Sequence, residues 1–133
     1  MLRVEHIGIA VKNMAESEKL FEILLGTGCY KKEAVESEKV TTAFFQKGET
    51  KIELLESSDP EGVIAKFIEK KGEGLHHIAF EVEDIKAEME RLKSQGFKLL
   101  MEEPKQGADN KLICFVHPKS ANGVLLELCQ TIR

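Results

Sequence analysis

The 133-residue sequence has no tryptophan, three prolines and only 6% aromatic residues. So thin a supply of flat side chains argues against a platform for stacked bases. A net charge of −4 offers no basic footprint for a nucleic-acid backbone. Long apolar runs are missing too, since no stretch approaches the roughly 18 residues that a membrane-spanning helix needs. The opening Met1-Leu2-Arg3-Val4-Glu5-His6 has charges where a secretory signal would carry its apolar stretch. There are three cysteines, Cys29, Cys114 and Cys129, odd in number, far apart and without a C-x-x-C pair. That argues against a disulfide framework or a cysteine zinc site, and fits small core residues in a reducing cytoplasm. What is present is 42% hydrophobic and 32% charged residues, enough to bury one sizeable core and stay soluble. Enzyme, binding module and structural subunit all remain open at this level.

The informative feature is an internal repeat. Val4-Glu5-His6-Ile7-Gly8-Ile9-Ala10-Val11 resembles Leu75-His76-His77-Ile78-Ala79-Phe80-Glu81-Val82, an offset of 71 residues from His6 to His77. Each stretch is followed by a helical pattern. Asn13 precedes one with Met14, Leu20, Phe21, Leu24 and Leu25 on one face, and Asp84 precedes another with Ile85, Met89 and Leu92. Asn and Asp suit the N-cap because their side-chain oxygens accept otherwise unpaired N–H groups, and Glu16 follows Asn13 at capping-box spacing. Gly26 and Gly96 mark the expected ends, where glycine accepts the left-handed conformation. Strand-like runs follow, over 30–35, 40–46 and 51–56 in the first half and 97–101, 111–117 and 124–130 in the second. Gly48-Glu49 and Asn122-Gly123 are turn signals. Between the halves, Asp59-Pro60 to Lys71-Gly72 predicts a connecting helix with Asp59 as N-cap, Pro60 at N1 and Val63, Ile64, Phe67 and Ile68 as its apolar set. One domain over 1–133 is expected, with modules over about 1–58 and 73–133 and the connecting helix over about 59–72, packed over the joint between the halves.

Strand alternation places the polar residues. Ile7, Ile9 and Val11 share the face that packs against the helices, and His6, Gly8 and Ala10 share the other. In the repeat, His77, Ala79 and Glu81 take the second face, with small neighbours leaving space before each histidine. On the last strand of each half, Glu53 points away from Ile52 and Leu54, and Glu127 points away from Leu126 and Leu128. A carboxylate inside an apolar strand is costly unless it is paired, hydrogen-bonded or metal-bound. One strand histidine alone is ordinarily a packed residue, but here two histidines and two glutamates recur at equivalent positions. Imidazole and carboxylate together suit cobalt, manganese, iron, nickel or zinc, and four protein ligands on an octahedral ion leave two positions for substrate. His76, with the parity of Ile78, reads as a residue for packing or hydrogen bonding. His117, before Pro118 at a strand end, is either solvent-exposed or a contact of a ligand loop.

Paired strand–helix–strand–strand–strand modules with this His, Glu, His, Glu pattern resemble the vicinal oxygen chelate superfamily. Within it the chain is similar, over essentially its whole length, to the methylmalonyl-CoA epimerases. The stretches that carry the likeness include His6-Ile7-Gly8-Ile9-Ala10-Val11, Gly48-Glu49-Thr50-Lys51-Ile52-Glu53-Leu54-Leu55, Gly74-Leu75-His76-His77, Glu103-Pro104-Lys105, and His117-Pro118-Lys119-Ser120 running to Glu127-Leu128. The resemblance implies an α+β fold of two paired βαβββ modules, forming a curved mixed sheet around a metal-binding cleft with the helices outside. It implies a divalent ion (cobalt, manganese, zinc or nickel) on His6, Glu53, His77 and Glu127, and a homodimer.

The implied reaction interconverts the two epimers of an acyl-CoA, methylmalonyl-CoA. Glu127 removes the C2 proton and the metal stabilises the enolate. Coenzyme A is expected along the loop of Lys119 and Ser120. Family members with a second catalytic glutamate carry it at the position of Thr42, and threonine is no base at neutral pH. A glyoxalase I-like isomerase acting on a glutathione hemithioacetal keeps the metal and changes the substrate. A metal-free small-molecule binding protein on the same fold is the rival of another class, and the four retained ligands count against it. An iron dioxygenase ordinarily uses two histidines and one carboxylate, and a purely structural subunit leaves Glu53 and Glu127 without a partner.

Overall fold

The computed structural model describes all 133 residues. Its elements run β1 (Arg3–Ala10), α1 (Met14–Leu25), β2 (Lys31–Val35), β3 (Val40–Lys47), β4 (Thr50–Ser57), α2 (Val63–Lys71), β5 (Gly74–Glu81), α3 (Ile85–Ser94), β6 (Lys105–Gln106), β7 (Lys111–Val116) and β8 (Leu126–Thr131). The chain divides into two compact units, His6–His76 and Met1–Glu5 with His77–Arg133. The fold is α+β, with three helices and mixed sheet. No helix is long and apolar enough to cross a membrane.

In the first unit, His6–His76, the strand order is β2-β3-β4-β1. The β2–β3 and β3–β4 pairs are antiparallel, and β1 joins β4 in parallel. A parallel pair needs a long connection, which α1, β2 and β3 supply. Helix α1 starts where expected: the Asn13 side chain accepts from the Glu16 N–H at 3.0 Å. It stops at Gly26, whose φ of 69° lies in the left-handed region that glycine enters without a Cβ clash. The helix packs through Met14, Phe21 and Leu25 on Ile9, Val11, Ala43, Phe45, Ile52 and Leu54. Leu20 and Leu24 do not join this core, being 62% and 69% exposed. At about 100° per residue they sit about 80–120° round the helix from the stripe of Met14, Phe21 and Leu25.

The opposite face of this sheet carries its own small core of Ala10, Val40, Leu55 and Ile64, with Val35, Phe67 and Ile68 of flanking elements. Helix α2 supplies the last residues. It begins later than the sequence suggests, with Gly62 as N-cap. Asp59 caps a tight turn instead: its Oδ1 accepts from Glu61 N at 2.7 Å and its carbonyl from Gly62 N at 2.9 Å. Pro60 therefore lies in that turn, and Val63 is left 60% exposed. His76 meets the Phe67 ring edge-on at 4.9 Å, packing being one of the two roles expected of it.

In the second unit the order is β5-β8-β7-β6, again with one parallel pair, β5 with β8. Asp84 caps α3 by accepting from Ala87 N at 3.1 Å, and Gly96 follows the helix with φ 90°. All three expected contacts, Ile85, Met89 and Leu92, are buried against Val82, Cys114, Val116 and Leu128. The strand expected over 97–101 is absent; only Leu99 makes a single bridge, to Val116. Phe97, Leu99 and Met101 alternate because they pack on the α3 core, and the pairing with β7 is limited to that bridge, with Leu100 N donating to the Phe115 carbonyl and His117 N to the Lys98 carbonyl. The edge strand is instead the two-residue β6, after Pro104, which has no N–H to donate. The remaining strands match within a few residues. The cysteines are free, with Cys114 and Cys129 fully buried and Cys29 half-buried. Burial pushes the Cys114 thiol up to about 11.

Candidate functional site

Each unit holds one histidine–glutamate pair, built the same way. In the first, Glu53 of β4 lies in register with Gly8 of β1, two residues beyond His6. A period of two puts His6, Gly8 and Glu53 on one face. The His6 Nδ1 and a Glu53 carboxylate oxygen are 3.2 Å apart, with side chains 6% and 5% exposed. In the second, Glu127 of β8 lies in register with Ala79 of β5, two residues beyond His77. The His77 Nε2 and a Glu127 oxygen are also 3.2 Å apart, both side chains 6% exposed. All four residues expected from the sequence are thus buried, and the structure joins them as these two pairs.

The donor set fits a metal ion. Two donor atoms each about 2.1 Å from one ion stand about 3.0 Å apart at a right angle and about 3.4 Å apart at the tetrahedral angle. Both 3.2 Å separations fall in that interval. Burying a carboxylate costs several kcal/mol unless a partner offsets it, and in each pair the histidine is such a partner. Each pair therefore presents hard oxygen and borderline nitrogen donors from a nearly dry strand face.

The surroundings differ. In the first unit, Phe44 stands directly opposite Glu53, and Thr42 opposite Leu55, on the same face. Thr42 is 1% exposed and Phe44 fully buried. The next strand continues these rows, with Lys31 opposite Phe44 and Glu33 opposite Thr42. The Lys31 ammonium lies 4.5 Å from the Phe44 ring centroid and 3.7 Å from a Glu33 oxygen. In the second unit, the Phe115 ring meets His77 edge-on at 5.9 Å. Ile113, Cys129 and Ala79 complete that face. Lys105 stands opposite Ile113, the place Glu33 has opposite Thr42 in the first unit.

Lys119 is exposed and Ser120 half-buried. They lie in a short 3-10 turn whose N-cap is His117: its Nδ1 accepts from Lys119 N at 3.0 Å. Ser120 Oγ accepts from Lys98 N at 3.0 Å, so its O–H remains to donate. A hollow of about 400 Å³ in the first unit is lined by Val11, Lys12, Glu56, Asp59, Ala65 and Ile68 among others, and by neither His6 nor Glu53.

Two acidic residues escaped the sequence reading. Glu5 is fully buried in the second unit, where Lys111, 8% exposed, donates to Thr131 Oγ1 at 2.9 Å. Both bear on Glu81. The Arg3 guanidinium, 2.9 Å away, holds the Glu81 carboxyl below its ordinary value, Lys111 pulls the same way, and Glu5 and burial oppose them. Glu5 lies in β1 between Val4 and His6, so it lacks the apolar neighbours on both sides that singled out Glu127. Glu33 has no such signal, because only strand register shows what it faces.

Comparison with known proteins agrees with this fold. The Bacillus subtilis protein YqjC, itself uncharacterised, is 42% identical over 98% of this chain and 93% of its own. The ethylmalonyl-CoA/methylmalonyl-CoA epimerase of Cereibacter sphaeroides is 40% identical over 96% of this chain and 97% of its own. A variant of Streptomyces coelicolor methylmalonyl-CoA epimerase, solved with 2-nitronate-propionyl-CoA, superposes with a TM-score of 0.95 over 100% of this chain and 99% of that one, at 30% identity. The family model for the glyoxalase/bleomycin resistance protein/dioxygenase superfamily matches residues 5–115. With the repeated βαβββ order and a buried His–Glu pair in each unit, the chain belongs to that superfamily.

Proposed function

We propose that the protein is an isomerase that interconverts (R)- and (S)-methylmalonyl-CoA by removing and returning the C2 proton through an enolate. The observation that carries this reading is the buried His–Glu pair present twice, in a chain 40% identical to an acyl-CoA epimerase over 96% of its length. His6, Glu53, His77 and Glu127 together would hold one divalent ion, cobalt, manganese, zinc or nickel. Such an ion supplies Lewis-acid stabilisation of the enolate's negative charge.

The chain's own groups do the rest. Glu127 takes the C2 proton, because a carboxylate held beside an imidazole in a dry site is a competent base for an acid flanked by two carbonyls. Phe44 and Phe115 line the faces on which the pairs lie and keep water from the enolate. The coenzyme A arm runs along the Lys119–Ser120 turn, where an ammonium and a hydroxyl donor meet phosphate or amide oxygens. The modules over 1–58 and 73–133 and the connecting segment over 59–72 work as a single domain, in a cytoplasmic homodimer.

The test offers the purified protein methylmalonyl-CoA and the hemithioacetal of glutathione side by side. Epimerisation of the first with no turnover of the second is the expected outcome. The reverse would make the protein a glyoxalase-like isomerase, and binding without turnover of either would make it a carrier.

A further inference from the structure

Inverting C2 requires proton carriers on both sides of the enolate, and Glu127 can serve only one. We infer that Glu33 is the second carrier, a reading that rests on the epimerase function proposed above. On the strand face that bears His6 and Glu53, the row β1-β4-β3-β2 reads Ala10, Leu55, Thr42, Glu33. Ala10, Leu55 and Thr42 carry no group that titrates near neutral pH. Glu33 is the first residue in the row that does. Directly opposite residues of an antiparallel pair have Cβ atoms about 5 Å apart, and a glutamate carboxylate extends about 3.5 Å beyond its Cβ. A carboxylate from the neighbouring strand therefore reaches over the short side chain of Thr42, which is itself 1% exposed.

Three observations support the assignment. Lys31, Glu33 and Val35 form the half-buried face of β2, while Lys32 and Ala34 are exposed. Val35 packs in the Ala10–Leu55 core, which fixes that face of β2 as the one shared with His6 and Glu53. The Lys31 ammonium, 3.7 Å from the Glu33 carboxylate and stacked on the ring opposite Glu53, keeps the carboxylate on this face. Glu33 is also 36% exposed at its side chain, against 6% for Glu127. It can therefore trade its proton with water between turnovers. In one direction the Glu33 O–H bond breaks as the new C2–H bond forms on the enolate. In the other the Glu33 carboxylate takes the C2 proton and Glu127 returns one. No other reactant is needed.

The experiment follows each epimer of methylmalonyl-CoA separately in deuterated water, with wild type, Glu33→Gln and Glu33→Asp. The expected result for Glu33→Gln is a loss of epimerisation of about 100-fold or more in kcat, with KM within about twofold. Its exchange of the C2 proton persists in one epimer alone, the one presented to Glu127. Glu33→Asp recovers part of the epimerisation. Epimerisation by Glu33→Gln within about threefold of wild type overturns the assignment, and so does equal loss of exchange from both epimers. A wild-type protein that exchanges neither epimer overturns the functional reading itself and the assignment with it.

Discussion

The two units repeat one plan and depart from it at informative places. Both set a histidine two residues before a small residue, and both place the glutamate in register with that small residue: Gly8 with Glu53, Ala79 with Glu127. Both hold the pair at 3.2 Å. Away from the pair the repeat breaks. The first unit covers part of its polar face with α2, and the second has no helix there. The first pairs β2 with β3 over five residues, and the second pairs β6 with β7 over two. At matching register positions the first presents an acid, Glu33, and the second a base, Lys105. Duplication supplied identical donors, and divergence of the flanking strands supplied unlike charges around them.

The largest effects should come from the pairs themselves, and they should be unequal. Glu127→Gln keeps an amide oxygen as donor but removes the proposed base, and a loss of epimerisation of about 1,000-fold is expected in a steady-state assay. Glu53→Gln keeps an amide oxygen as donor and removes no base, so bound metal should persist and activity should fall by about tenfold or less. Equal losses in the two variants would erase the functional difference drawn between the units.

Core substitutions come next. Leu54 in the first unit and Leu128 in the second are both fully buried. Leu54→Ala and Leu128→Ala should each cost about 3 kcal/mol in denaturant unfolding. Both should move one shared transition, as a single domain requires; a two-step transition in which each variant moves its own step would make the units independent. Smaller again are the caps. Asn13→Ala and Asp84→Ala should each cost about 1 kcal/mol, because each removes an observed bond to a helix N–H.

The smallest effect separates the units by pH. Arg3 holds the Glu81 carboxyl below its ordinary value of 4.5. The folded state therefore gains stability that is fully present above 4.5 and is lost as pH falls through the lower folded value. Both side chains are partly exposed, so the contribution is about 0.5 kcal/mol. Arg3→Gln should lower the thermal midpoint slightly at pH 7, and the gap should close on acidification to about pH 3. A gap that widens instead would show the sign to be wrong.

Much of this was legible in the sequence because the signals were local. Asn13 and Gly26 bracket α1, and Asp84 precedes α3 with Gly96 just beyond its end. Strand parity alone put His6, Glu53, His77 and Glu127 on the faces where they are found. The failures came where one local pattern has two physical causes. Asp59-Pro60 suits a helix start, and equally a turn in which Asp59 bonds Glu61 N. The alternation of Phe97, Leu99 and Met101 suits a strand, and equally a loop laid on a helix core. The apolar Leu20 and Leu24 are exposed because only one stripe of α1 meets the sheet. Glu33 could not be found at all without the register that brings it opposite Thr42.

In the proposed mechanism the repeated His–Glu pairs bind a metal that C2 proton transfer requires. The most direct test strips the protein with a chelator and follows deuterium incorporation at C2 of methylmalonyl-CoA as cobalt, manganese, zinc or nickel is added back. Exchange and epimerisation should vanish on stripping and return with at least one of these ions at about one equivalent per chain. Exchange that survives complete stripping, or that no ion restores in a protein shown to be still folded, would contradict the account.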